Sequence, residues 1–99
     1  MISVGAIGVI SVASNIIPKD VCEMVAKALD GDFAGAYAIH KRLYPFYRDL
    51  FIESNPIPVK AALADLGAIA EEYRLPLCEM SSGNREKLRE TMRRCGILK

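Results

Sequence analysis

The run Gly5-Ala6-Ile7-Gly8-Val9-Ile10-Ser11-Val12 is apolar on both faces and rich in β-branched residues. A short run of that kind, with Gly5 before it and Ser14-Asn15 after it, reads as a strand buried in a parallel sheet. This is the tightest constraint on the fold, because a central strand must satisfy its N–H and C=O groups through neighbours on both sides. The rest of the 99-residue chain supplies no second run of this type. The expectation is therefore a portion of a larger parallel-sheet protein, one that begins just before that protein's last strand.

Beyond Asn15 the pattern turns helical. Pro18 suits a first helical turn, Asp20 suits the positive end of a helix, and Val21, Met24, Val25, Ala28 and Leu29 form one stripe before Gly31. A helix over Pro18 to Leu29 is predicted, so that strand, loop and helix make half of a βαβ unit. Asp32 is placed to cap a second, longer helix with a broad apolar and aromatic face: Phe33, Ala36, Tyr37, Ile39, His40, Leu43, Tyr44, Tyr47, Leu50 and Phe51. Pro45 falls inside it and predicts a kink or a break, since proline leaves the carbonyl near Lys41 without its donor. Asn55-Pro56-Ile57-Pro58 pushes the residues before each proline toward extended geometry. Pro58 then opens a third helix carrying Val59, Ala62, Leu63 and Leu66, stopped by Gly67. Beyond a connector from Ala68 to Met80, Ser82 or Asn84 is the expected cap of a last helix. That helix bears Leu88, Met92 and Cys95 on one side and ends at Gly96, while Glu90 is expected to pair with Arg93 and Arg94.

Composition narrows the function classes. Thirteen Lys+Arg against twelve Asp+Glu leave a net charge of +1, too little for a general field toward nucleic acid or an anionic membrane. Cys22, Cys78 and Cys95 include no C-x-x-C pair and accompany a single histidine, His40, so no metal site or cofactor is expected. Cys22 and Cys95 fall on apolar stripes and read as reduced, buried thiols, which favours the cytoplasm. The apolar run from Val4 to Val12 is too short to span a bilayer and lacks the charged leader of a signal peptide.

Two motifs at a fixed separation carry more. Gly5-Ala6-Ile7-Gly8-Val9-Ile10-Ser11-Val12-Ala13-Ser14-Asn15 and Asn55-Pro56-Ile57-Pro58-Val59-Lys60 resemble the C-terminal third of the dihydrodipicolinate synthase family, and the likeness runs from about residue 2 to residue 98 through Leu75-Pro76 and Gly96-Ile97-Leu98. That resemblance implies a fragment of an α/β (TIM) barrel, mainly α as an isolated chain. Residues 1–31 would be the last β/α unit of the (β/α)8 barrel, with Gly8 to Val12 as its eighth strand, and residues 32–99 a C-terminal helical extension. Met1 would then be an internal methionine. It further implies a lyase whose lysine forms a Schiff base with pyruvate before condensation with aspartate semialdehyde, in lysine and diaminopimelate biosynthesis, and a homo-oligomer as the complete enzyme. The family's lysine, tyrosine and paired threonines match nothing here, so this chain alone is expected to be inactive. One position carries over: Ile10 matches the strand-eight isoleucine whose backbone carbonyl faces the bound keto acid, at the end of the barrel where such sites lie. Its side chain is expected to pack in the barrel core.

Each remaining candidate has a plainer reading beside it. None of the six lysines follows a strand, and Lys60 reads better as a helix-start or interface residue than as an imine former. His40, Tyr44 and Tyr47 read as packed aromatics. Arg85, Lys87, Arg89, Arg93 and Arg94, interleaved with Glu86 and Glu90, read as a solvated helix face. The alternatives to the synthase reading are a non-catalytic helical interaction module and a portion of a related pyruvate aldolase such as N-acetylneuraminate lyase.

Overall fold

A computed structural model describes residues 1–99. It holds four α-helices and no β-strand: α1 (Pro18–Leu29), α2 (Phe33–Asp49), α3 (Ile57–Asp65) and α4 (Ser82–Arg94), preceded by 3-10 turns at Ile2–Val4 and Ala13–Asn15. The chain divides into two compact units, Met1–Tyr44 and Pro45–Lys99.

In the first unit, Gly5 at φ 102° closes the opening turn by donating its N–H to the Ile2 carbonyl. Residues 6–11 then carry no regular structure. The expected strand is therefore not formed. The reason is physical: a strand is defined by its partners, and no second strand exists here to pair with it. Its far end is fixed by a turn that satisfies its own polar groups. The Ser14 hydroxyl donates to the Ser11 carbonyl at 2.6 Å, the Ser14 N–H donates to Ser11 Oγ at 3.1 Å, and Asn15 Nδ2 donates to the Val12 carbonyl at 2.9 Å.

Helix α1 begins at Pro18 and ends at Leu29, as its stripe and punctuation predict, with Gly31 at φ 83° turning the chain. Ala13, Ile17, Val21, Ala36 and Leu43 are the buried apolar residues of this unit, whereas Leu29 is half exposed. Asp32 caps α2 as expected: its carboxylate accepts from the Gly35 N–H at 2.8 Å, and that bond, with help from Lys27, outweighs the opposing effect of desolvation and holds its carboxyl below the usual range. Arg42 of α2 pairs with Asp20 of α1. The helix runs through Pro45 without the expected break. Leu43 before it and Phe46 and Leu50 after it are all fully buried.

In the second unit α3 packs against α4, and Phe46, Leu50, Ile57, Val59, Ala61, Ala62, Met80, Leu88 and Met92 are its buried apolar residues. Ile57 and Pro58 start α3 and Gly67, at φ 72°, follows its end. Neither Ser82 nor Asn84 caps α4. Ser81 occupies the cap position, and the work of a cap is done from a distance by Glu53. A single Glu53 oxygen accepts from the Ser81 N–H at 3.1 Å, the Ser81 hydroxyl at 2.7 Å and Asn84 Nδ2 at 2.8 Å, and the Asn84 and Ser81 hydrogen bonds lower the Glu53 pKa. Glu86, rather than Glu90, meets Arg93, at 3.2 Å.

Candidate functional site

Ile10, the one residue carried over from the resemblance, lies in the segment without regular structure and is fully exposed. Its side chain is not packed in a core in this chain, since no barrel wall is present to receive it. Ile7 and Val9 beside it are also exposed. No backbone hydrogen bond joins residues 7–11 to another segment. The feature read from sequence as the heart of a sheet is thus a row of open donors and acceptors flanked by bare β-branched side chains.

Against the same segment lies a groove of about 740 Å³ within the first unit. Its walls come from Ala6, Gly8 and Val9, from Met24 and Val25 of α1, and from Phe33, Tyr37 and His40 of α2. Phe33, Tyr37, His40 and Tyr44 recur at helical spacing along one side of α2 and all are exposed, with the His40 and Tyr44 rings 5.6 Å apart. The aromatics expected to be packed are therefore largely bare in this chain. The groove is lined mainly by apolar side chains. Its lining contains no lysine, carboxylate or cysteine, so it can hold apolar matter but offers no lysine amine for an imine.

The lysines agree with that reading. Lys60 stands in the first turns of α3 with Nζ 5.2 Å from the Tyr73 ring centre, a cation–π contact rather than an imine-forming pocket. Lys27 pairs with Asp32 at 3.4 Å, and Lys19, Lys41, Lys87 and Lys99 are exposed. Cys22 and Cys78 are exposed and Cys95 partly so, which corrects the expectation that Cys22 is buried; all three are free thiols. No group of three or more His, Cys, Asp or Glu side chains is arranged to hold a metal ion, and no helix is long and apolar enough to cross a membrane.

Sequence reasoning missed the polar clusters of the second unit. Asp49 is buried, and burial alone would push its carboxyl up. Hydrogen bonds from Arg48 Nε at 2.7 Å and the Thr91 hydroxyl at 2.7 Å, together with the charges of Arg48 and Lys87, outweigh burial and hold it below the usual carboxylate range. Asp65 behaves likewise. Burial opposes its charge, while Arg89 at 2.7 and 2.9 Å and Arg85 at 2.7 Å restore it. Arg85 and Arg89, read as part of a solvated face, are in fact the inward-facing side of α4. Asp65 bonds the end of α3 to α4 and Asp49 bonds the end of α2 to Thr91 of α4, so these clusters hold helices together.

With this geometry in view, comparison with known proteins is informative. The family model described as "Dihydrodipicolinate synthetase family" matches residues 1–95. The 4-hydroxy-tetrahydrodipicolinate synthase of Thermodesulfovibrio yellowstonii is 50% identical over 99 residues, covering 100% of this chain and 34% of that protein. Among solved structures, dihydrodipicolinate synthase from Aquifex aeolicus superposes with a TM-score of 0.94 at 49% identity, over 96% of this chain and 32% of that one. A chloride-inhibited dihydrodipicolinate synthase from Acinetobacter baumannii, solved with pyruvate, superposes with a TM-score of 0.92 at 41% identity, over 95% of this chain and 32% of that one. The chain spans about a third of the length of the relatives it matches. In both superpositions the uncovered share is smaller than the segment 6–12, so that segment follows the path of its counterparts at least in part.

Proposed function

Because this chain belongs to the dihydrodipicolinate synthetase family, we propose that it is the C-terminal third of a lyase that condenses pyruvate with aspartate semialdehyde through a Schiff base. The observation that carries the reading is the extent of the match: about half of all positions are identical from one end of the chain to the other, in relatives that bear the synthase name. In this reading residues 1–31 are the last β/α unit of the barrel and residues 32–99 the helical extension. Ile7 to Val12 becomes a strand once neighbouring strands supply partners, and the open backbone and apolar groove of the first unit are surfaces that the rest of the barrel covers.

The chemistry divides accordingly. Imine formation needs an amine that is neutral near pH 7, which requires a lysine desolvated or placed beside another cation. Lys60 stacks on Tyr73, Lys27 pairs with Asp32 and the other four lysines are exposed, so this reading places the imine outside residues 1–99. The contribution of this chain to the site is the Ile10 carbonyl, a fixed dipole at the strand end facing the keto acid. Its role is positioning, and the reaction is completed by groups elsewhere in the enzyme. The complete enzyme acts in the cytoplasm as a homo-oligomer.

A chimera tests the proposal. The corresponding third of the Thermodesulfovibrio yellowstonii enzyme is replaced by these 99 residues and the product is assayed for condensation of pyruvate with aspartate semialdehyde. Synthase turnover is the expected result. A folded chimera without turnover contradicts the reading.

A further inference from the structure

Between α3 and α4 the chain runs from Leu66 to Ser81 without a regular element. Compact domains seldom carry so long a structureless connection unless it has a task. The stretch lies along the second unit on one edge: Glu71, Tyr73 and Leu77 are partly shielded while Glu72, Arg74, Leu75, Cys78 and Glu79 are exposed. It is anchored at its ends, by Gly67 in a left-handed turn and by the buried Met80. Its backbone is tied almost only to itself, through Leu77 N–H to the Arg74 carbonyl, and to α3 through Ala68 N–H to the Leu63 carbonyl.

The tie across its middle is a single side chain of α4. Arg85 Nη1 donates to both carboxylate oxygens of Glu71, each at 2.6 Å, while its Nη2 donates to Asp65 at 2.7 Å. Tyr73 adds to the same carboxylate, its hydroxyl donating at 3.0 Å, and Lys60 lies over the Tyr73 ring. One guanidinium therefore joins the end of α3, the connector and α4, which its flat fork of donors allows and an ammonium would not. Arg89 makes two bonds to the same Asp65 yet is bonded to no residue of the connector.

We propose that residues 68–79 form a strap that opens as a unit between its anchors at Gly67 and Met80, and that Arg85 is its latch. A segment opens locally when its closed state buries little apolar surface, and between its anchored ends this one shields only Tyr73 and Leu77 in part. The polar latch is then the dominant closing force. Opening would uncover the α4 face that carries Arg85 while leaving α3 held to α4 through Arg89 and the apolar core. This inference concerns the second unit alone and does not depend on the reaction proposed for the whole protein.

Limited trypsin digestion of the 99-residue chain tests it, because cleavage of a transiently open segment follows its open population. Arg74 lies in the strap beside Leu75, which is 92% exposed. Arg85→Lys and Glu71→Gln are expected to speed cleavage after Arg74 by about tenfold or more, with the helical circular dichroism signal unchanged. Arg89→Lys, which spares the latch, is expected to change that rate by no more than about twofold. Should Arg85→Lys fail to fold, Glu71→Gln decides alone, since it leaves both arginine contacts to Asp65 in place. An unchanged rate in Glu71→Gln overturns the proposal. So does an equal rise in Arg89→Lys, which would show that the cluster only holds α3 to α4.

Discussion

Asp49 shows how much a single buried carboxylate can decide. It is 2% exposed and charged, and its charge is tolerated because Arg48 and Thr91 donate to it. Thr91→Val keeps the shape and removes one donor from a charged acceptor, so we expect a loss of about 1.5–3 kcal/mol in urea unfolding. The same contacts set the pH response. The Asp49 and Asp65 carboxyls are held below their ordinary values, so their stabilising effect is complete above the unfolded pKa of about 4 and is lost as the pH falls through the lower folded values. The urea midpoint should therefore hold steady from pH 7 to about pH 5 and drop below about pH 4, more gently in Thr91→Val than in the wild type. Gly35 makes the opposite kind of prediction. Alanine in a helix normally stabilises relative to glycine, but a Cβ at this position would overlap the Asp32 carboxylate that caps α2. Gly35→Ala should leave the melting temperature unchanged or lower it, and should raise it only in an Asp32→Ala background, measured against Asp32→Ala alone. A rise in the single variant would show that the cap contributes nothing. At Ile10 the proposed ligand contact is through the backbone. In a complete enzyme Ile10→Val should cost only about 0.5–1.5 kcal/mol of packing and keep turnover, whereas Ile10→Pro should abolish it by removing an N–H from a central strand. Equal activity of the two would remove this position from the site.

Among the elements, what was legible in the sequence is what local chemistry decides. The bounds of α1 follow from Pro18, a one-sided stripe and Gly31, all within a few residues of where they act. The cap of α2 is legible for the same reason. What was not legible depends on partners far along the chain. The cap of α4 comes from Glu53, 28 residues before Ser81, and Arg85 finds Asp65 and Glu71 at separations of 20 and 14 residues, which no helical spacing reports. The strand is instructive in another way: the segment has the composition of a buried strand, but pairing is supplied by other strands, and so it stays irregular. The candidate site had the same limit. Nothing in the local pattern distinguishes Ile10 from Val9, and only the resemblance singled it out. At Pro45 the break that was one of the two expected outcomes does not occur. Pro45→Ala restores a donor for the Lys41 carbonyl inside a helix that is already continuous, so it should raise the thermal midpoint, and a fall would show that the ring is needed for packing.

For the whole molecule, the proposed function is a division of labour. In that proposal the chain supplies a backbone contact at Ile10, a barrel edge and a buttressing helical unit, with the carrier of the imine elsewhere in the enzyme. Such a portion leaves apolar and β-branched surface open, and residues such as Ile7, Val9, Tyr37 and Tyr44 are exposed accordingly. In isolation it should self-associate through that surface, with light scattering giving a mass above the 10.9 kDa of one chain; a strict monomer with strongly protected amides at Ile7 to Val12 would contradict this. The central claim is the placement of the chemistry, and borohydride trapping of isotopically labelled pyruvate reads it directly, followed by peptide mapping of both the isolated chain and the chimera that contains it. The expected result is no label on the isolated chain and, in the chimera, one labelled lysine outside these 99 residues. Stoichiometric label on Lys60, or on any other lysine of this chain, would contradict that placement.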